Sequence, residues 1–249
     1  MARYKAIIEY DGTDFAGFQR QAPTVGPTVQ GEVESALARI SDGKLITVMG
    51  AGRTDSGVHA SGQVIAFELD WGHGTEALTR ALNANLPRTI AARSVSECAT
   101  DFHPRFSAKG RRYRYSIYNA PIRSPLRERF AWRVWPALEL AAMQEASQHL
   151  LGRRDFGTFG TAPEPGGHTT RTVREARWEK PDGGGTLNFY IEADAFLFRM
   201  VRCIVGTLKI VGTGEMTVAD FAEAIQAANR SRAGTLAPPN GLCLIEVIY

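Results

Sequence analysis

Between two strand-like stretches, Ile46–Val48 and Gln63–Leu69, lies the decapeptide Ala51–Ala60, AGRTDSGVHA. It is too polar and too often broken by glycine to belong to a core, so it must be a loop that neighbouring strands carry. Gly52 and Gly57 bracket Arg53, Thr54 and Asp55, which sets a cation and a carboxylate close together in a tight turn. Glycine permits backbone conformations that other residues resist, and chemistry concentrates on loops held by a rigid scaffold. Asp55 is the leading candidate for a reactive group.

The rest of the pattern is mixed. Tyr4–Tyr10 reads as a strand, and Thr28 as the N-cap of a helix with Val29, Val33, Ala36, Leu37 and Ile40 on one face. A second helix is expected over Thr75–Asn85, and strands over Ala92–Glu97 and Arg111–Tyr118. In the last of these Arg112, Arg114 and Ser116 alternate with Tyr113, Tyr115 and Ile117. Pro121, Pro125 and Pro136 mark a connector. Beyond it come a helix over Leu138–Leu151, a hairpin of Thr172–Glu179 and Thr186–Ala193 turning at Pro181–Gly185, and an apolar helix over Phe198–Val211. Thr217 caps a shorter helix through Phe221, Ala224 and Ile225, and Leu242–Tyr249 closes the chain as a strand. Hairpin-like strands outnumber strand–helix–strand crossovers. That predicts an α+β protein, with helices on one side of a largely antiparallel sheet.

A chain of 249 residues can bury a large core, as one domain or two. No apolar run is long enough to span a membrane. The N-terminus enters a strand pattern at once, without the apolar region of a signal peptide. Cys98, Cys203 and Cys243 are an odd, scattered set, which fits reduced thiols in a cytoplasmic protein; each reads as a small buried apolar residue. Charge is unevenly placed. From Phe102 to Arg133 nine basic residues face only Glu128, a local net of +8; with +3 for the whole chain, the remainder carries −5. Phe106, Tyr113, Tyr115, Tyr118 and Phe130 interleave with those cations. Cations among rings suit a phosphate backbone with unstacked bases, so an RNA partner is expected rather than merely a solvated charged face.

Other chemistries find little support. The five histidines show no paired-ligand spacing and the cysteines form no zinc knuckle. There is no phosphate-binding GxxxxGK[ST] loop, no complete dinucleotide fingerprint and no GxSxG elbow. His59 reads as a loop-stabilising residue. What remains is a carboxylate with arginine support. Arg199 and Arg202 lie three apart inside the apolar helix, and a buried guanidinium needs a carboxylate partner. Glu192 or Asp194 would be a structural partner, Asp55 a functional one.

These segments resemble the TruA-like family of tRNA pseudouridine synthases. The resemblance rests on YDGTDFAGFQRQ (Tyr10–Gln21), TVQGEVESAL (Thr28–Leu37), AGRTDSGVHA with Gln63 and Phe67, and ALNANLP (Ala81–Pro87). It continues through FHPRFSAKGRRYRY (Phe102–Tyr115), GRRDFGTF (Gly152–Phe159), FLFRMVRCIVGTL (Phe196–Leu208) and GLCLIEVIY (Gly241–Tyr249). It implies the pseudouridine synthase fold, two similar α/β halves (1–104 with the aspartate loop, 105–249 with the arginine-bearing helix) forming one mainly antiparallel mixed sheet with a basic cleft between them. It implies a homodimer that holds tRNA and converts uridines of the anticodon arm, at positions 38, 39 and/or 40, to pseudouridine without metal or cofactor. By the same resemblance Asp55 is the essential catalytic residue, Tyr113 stacks on the uracil, Arg202 pairs with the aspartate and Arg53 fills the space left by the extruded nucleotide. Leu242 is a pocket wall, and Thr54, His59, Arg105, Lys109, Arg111, Arg112 and Arg199 are expected against substrate or RNA. Phe18, Arg154-Asp155 and Phe198-Arg199 depart from the family's commoner residues. The alternatives are a non-catalytic tRNA-binding protein on the same scaffold, or a glycosidase or nuclease drawing a second carboxylate from Glu9, Asp11 or Asp14.

Overall fold

Strands and helices mix along the whole of the computed structural model, which describes residues 1–162, 164, 166–181 and 185–249. In chain order they are β1 (Ala2–Tyr10), α1 (Val29–Ile40), β2 (Met49–Gly50), β3 (His59–Leu69), α2 (Gly74–Asn85) and β4 (Ile90–Glu97). Then come β5 (Gly110–Asn119), α3 (Pro125–Glu128), β6 (Trp132–Val134), α4 (Leu140–Gln148), β7 (Gly152–Asp155), β8 (Thr170–Glu179) and β9 (Thr186–Ala193). α5 (Met200–Gly212), α6 (Val218–Ala227) and β10 (Leu242–Ile248) complete the chain. The class is α+β. Residues 1–109 and 243–249 form one unit and residues 110–242 a second, whereas the sequence expectation divided the chain after residue 104 and kept the closing strand with the second half. The turn expected at Pro181–Gly185 falls partly on residues 182–184, outside the described residues. Among the described residues no helix is long and apolar enough to cross a membrane.

In the first unit β1 runs antiparallel to both β3 and β4, β2 adds a short antiparallel pairing to β3, and β10 lies parallel to β3. The alternation in β1 does what period-two spacing dictates: Tyr4, Ala6, Ile8 and Tyr10 are all buried. β3 is buried on both faces from Gln63 to Phe67, as a strand inside a covered sheet must be. It begins at His59, four residues earlier than the apolar pattern suggested, because β10 pairs with His59 and Ala60. Thr28 caps α1 by accepting from the Gly31 N–H, and Val29, Val33, Ala36 and Leu37 turn inward. α2 buries Leu78 and Leu82, each worth about 1.5–3 kcal/mol against exposure. The strand expected over Ile46–Val48 does not form. Helix side chains take the backbone groups a sheet would use: the Val48 N–H donates to Glu34 Oε1 at 3.1 Å, and the Val48 carbonyl accepts from Gln30 Nε2 at 3.0 Å.

In the second unit β9 lies antiparallel between β5 and β8, β7 pairs antiparallel with β8, and β6 runs parallel to β5. α4 packs on β8 and meets α5 and α6. It is shorter than the expected Leu138–Leu151; Leu138 and Leu150, near the ends of that stretch, are buried without being helical. α5 buries eleven of its residues, so it is a core helix apolar nearly all round. Gly206 makes that possible: a Cβ there would lie 1.7 Å from the Thr235 carbonyl oxygen. The chain of residues 234–237 passes directly over the helix at this point. α5 starts at Met200 instead of Phe198, because Arg199 takes a left-handed conformation with φ 62°.

Candidate active site

The loop of residues 51–58 is not held by its own glycines alone. Its scaffold is the segment after β1, residues 11–18. The Phe18 N–H donates to the Thr54 carbonyl at 3.1 Å, the Gly57 N–H to the Phe15 carbonyl at 3.3 Å, and Ser56 Oγ to that same carbonyl at 3.1 Å. The Tyr10 and Thr54 hydroxyls bond at 2.8 Å inside the protein. From the other side Gln63 Nε2 donates to the Gly52 carbonyl at 2.9 Å and the Ala51 N–H to Val64 at 2.8 Å. The two segments touch so closely that side chains are excluded. A Cβ on Gly12 would fall 2.0 Å from the Val58 carbonyl oxygen, and one on Gly17, whose φ is +110°, 2.8 Å from that of Thr54. The same contact explains why YDGTDFAGF and GRTD occur in one chain.

Asp55 opens the tight turn at the end of this loop. Its carbonyl accepts from the Val58 N–H at 3.1 Å, with Gly57 at φ +77° supplying the conformation such a turn needs. The side chain is half-buried, between buried Thr54 and exposed Ser56. Arg53 is exposed. His59 is buried, its Nδ1 3.1 Å from the Gly12 N–H and 3.2 Å from Asp11 Oδ1; it stabilises the loop, and it and Thr54 are both buried where contact with substrate or RNA was also expected. Asp11 also receives the Thr13 N–H and hydroxyl, so it is a turn-forming carboxylate. Arg105 and Lys109 are exposed in this same unit, with the Arg105 guanidinium 5.6 Å from the Phe106 ring.

The second unit carries Tyr113, Arg202, Arg111, Arg112, Arg199 and Leu242. Tyr113, on β5, is 9% exposed and meets Phe196 edge to face at 5.1 Å. Arg202 is equally shielded. Its Nε donates to the Ala237 carbonyl at 2.8 Å, and the Ala237 N–H returns a bond to the Arg202 carbonyl at 3.1 Å. Tyr115 fixes the next residue by donating to the Pro238 carbonyl at 2.8 Å. Burial pushes the Tyr115 phenol far above its usual range, a shift that Arg202 opposes less strongly. Leu242 is buried just after Gly241, where a Cβ would meet the Tyr115 ring at 2.7 Å. Glu192 is paired with Arg112 and Arg174, and Asp194 accepts from the Thr172 and Ala195 N–H groups. Both carboxylates considered as structural partners for Arg202 thus have other work.

Four expectations need correction. Tyr115 and Tyr118 are fully buried, so of the interleaved rings only Phe106 and Phe130 are broadly exposed. The arginine half of β5 is half-exposed as the alternation implied, with Arg111, Arg112 and Arg114 partly open, but Tyr115–Tyr118 are buried on both faces. Arg112 is bound to Glu175 at 3.1 Å and Glu192 at 2.7 Å, in a cluster that also holds Arg174 and Arg177. Its charge is balanced within the sheet. Arg199 does not share a helix face with Arg202; it is exposed at the N-cap of α5, in a conformation that costs a residue with a side chain about 1–3 kcal/mol. Finally, only Cys203 is buried, while Cys98 and Cys243 lie half-exposed, beyond the end of β4 and near the start of β10. Sequence reasoning also missed Phe196 and the Ala237-Pro238 clamp. The first was visible as the opening residue of FLFRMVRCIVGTL; the second had no local signal.

The chain is similar to known proteins along its whole length. The sequence profile described as tRNA pseudouridine synthase matches residues 6–107 and 146–249. The tRNA pseudouridine synthase A of Myxococcus xanthus is 42% identical over 249 residues, covering 100% of this chain and 92% of that protein. Those of Geobacter sulfurreducens and Brevibacillus brevis are 44% and 42% identical, with 100% of both chains covered in each case. Among solved structures, a chain of a Cbf5–Nop10–Gar1 complex matches with TM-score 0.35 and 10% identity over 82% of this chain and 53% of that one, too loosely to add weight. Full-length identity above 40%, together with a profile that includes both the aspartate loop and the arginine-bearing helix, makes this chain a member of the tRNA pseudouridine synthase family.

Proposed function

We propose that this protein isomerises uridine to pseudouridine in the anticodon arm of tRNA, at positions 38 to 40, acting as a cytoplasmic homodimer without metal or cofactor. The observation that carries the reading is the double-clamped loop. It holds one carboxylate, Asp55, half-buried at the start of a turn, on a scaffold packed too closely to admit a side chain at Gly12 or Gly17. A rigidly placed group of this kind suits chemistry that demands a fixed approach to one atom. Asp55 initiates cleavage of the bond between uracil and ribose, after which the ring turns and rejoins through carbon. The atoms of substrate and product are the same, and no oxidation state changes. Tyr113 stacks on the uracil, Arg202 belongs to the catalytic set and Leu242 offers the base an apolar contact. Arg53 occupies the gap left in the RNA, with Thr54 and His59 holding the loop from beneath. Arg105, Lys109 and Arg111 meet the phosphate backbone, and Arg199 contacts the RNA beside them; Arg112 supports the sheet. Flipping a stacked nucleotide costs about a few kcal/mol, which contacts in the pocket must repay.

The test is Asp55→Asn, assayed by tritium release from uracil-labelled tRNA and by mapping of pseudouridine. The variant is expected to bind tRNA and melt as the wild type does, while forming no pseudouridine. Undiminished tritium release would remove Asp55 from the mechanism. Wild-type protein that binds tRNA and releases no tritium would favour a pure binding role.

A further inference from the structure

Arg199, Asp42 and Ala228 are the non-glycine residues with positive φ among those described, at 62°, 52° and 46°. Two of them need no special explanation. Ala228 is the C-cap of α6 and Asp42 follows the C-cap of α1, and left-handed residues routinely end helices. Arg199 stands at the other end, at the N-cap of α5, where an extended residue with an accepting side chain is the ordinary solution. Its side chain makes no capping bond. The conformation does achieve something else. Leu197 and Met200 are buried on either side, while Phe198 is 53% exposed and Arg199 exposed beside it. The Arg199 guanidinium carbon lies 4.7 Å from the centre of the Phe198 ring.

This pair is anchored from below. Phe198 forms an isolated antiparallel bridge with Thr161, its N–H donating to the Thr161 carbonyl at 3.2 Å. Gly160 permits the approach, since a Cβ there would meet that of Leu197 at 2.6 Å. A single exposed phenylalanine is unremarkable on a protein surface. A phenylalanine outside the core, on a pinned backbone, topped by a guanidinium and followed by a strained residue, is a built feature.

We propose that Phe198 and Arg199 form a stacking platform for an unpaired base adjoining the reacting uridine. The proposal rests on the reading of this protein as an RNA uridine isomerase. Extruding one nucleotide deprives its neighbours of a stacking partner, and an aromatic ring with a guanidinium plane replaces it whatever the neighbour's identity. The pair stands immediately before the helix that carries Arg202, three residues from it in sequence. The platform thereby positions the substrate; neither residue touches the reacting atoms.

An RNA stem-loop with the sequence of an anticodon arm, carrying 2-aminopurine on one or the other side of the target uridine, tests this directly. Binding of wild-type protein should quench the probe on one side, and Phe198→Leu should lose that quench. In turnover, Phe198→Leu and Arg199→Gly should raise KM several-fold with kcat within twofold, and Phe198→Tyr should restore both quench and KM. Arg199→Gly should also melt at a higher temperature than wild type, because glycine accepts the left-handed conformation. Wild-type turnover with KM and quench unchanged in Phe198→Leu and Arg199→Gly overturns the platform. Wild-type binding with no tritium release overturns the isomerase reading instead, and the quench still decides the platform.

Discussion

The aspartate loop and the arginine helix position charged groups by opposite means. Asp55 sits on irregular backbone whose carbonyl and N–H groups are taken up by a second piece of irregular backbone, residues 11–18, with glycines where the two meet. Arg202 sits on a helix with eleven buried residues and is steadied by a reciprocal pair of bonds to Ala237. In the first case precision comes from hydrogen bonds between loops, backed by the buried side chains of Phe15, Phe18 and Val58. In the second it comes from burial, with two bonds as trim. Damage to the loop should therefore appear in turnover before stability, and damage to the helix in stability first.

Gly12→Ala presses hardest on that contrast. Its Cβ would overlap the Val58 carbonyl, so the Asp55 turn must shift. We expect turnover to fall by about 100-fold, as misplacement by an ångström can cause, with a stability loss of about 1–3 kcal/mol. Steady-state kinetics alongside urea denaturation would check it; retained turnover would mean that the clamp does not set Asp55. Gly206→Ala strikes the helix at its tightest contact. It should cost about 1–3 kcal/mol or more of stability in denaturation, and the molecules that remain folded should lose less turnover than Gly12→Ala does. Tyr10→Phe is gentler. Removing the bond to Thr54 should cost about 1 kcal/mol and slow turnover a few-fold.

Thr217→Ala touches neither the aspartate loop's bonds nor those of Arg202 and calibrates both. Losing the α6 cap should cost about 1 kcal/mol, with kinetics unchanged. Bonds from Thr217 hold the Asp220 carboxyl below its usual range. A carboxyl lowered on folding stabilises the protein above its ordinary value, and that contribution vanishes as pH falls through the lowered one. The difference between Thr217→Ala and wild type in thermal melts should therefore narrow in acid.

Where one short-range rule dominated, the residues announced their structure. Period-two spacing predicted β1 as Tyr4–Tyr10 and found Ala2–Tyr10; the Thr28 and Thr217 caps were legible from side chains that compete for the first N–H groups. Arg111–Tyr118 read correctly as a strand, half-exposed as expected at Arg112 and Arg114 but buried throughout from Tyr115, because alternation reports a repeat and not what covers each face. β2, β6 and β7 are too short for any period to emerge. Ile46–Val48 failed for a tertiary reason: Gln30 and Glu34 reached it first. In the candidate site, chemistry-bearing residue types stood out and their supports did not. Asp55 was conspicuous in its loop, whereas Ala237 and Pro238 carry no side-chain signal and matter only through their backbone groups.

The missing side chains at positions 12 and 17 also bear on how this enzyme could be rebuilt. A transplanted AGRTDSGVHA segment would arrive without the surface that shapes it, since half of that shape belongs to a stretch some forty residues earlier. The inheritable unit is the pair. Redesign of either strip should carry the other along, and libraries that randomise one alone will mostly sample broken enzymes.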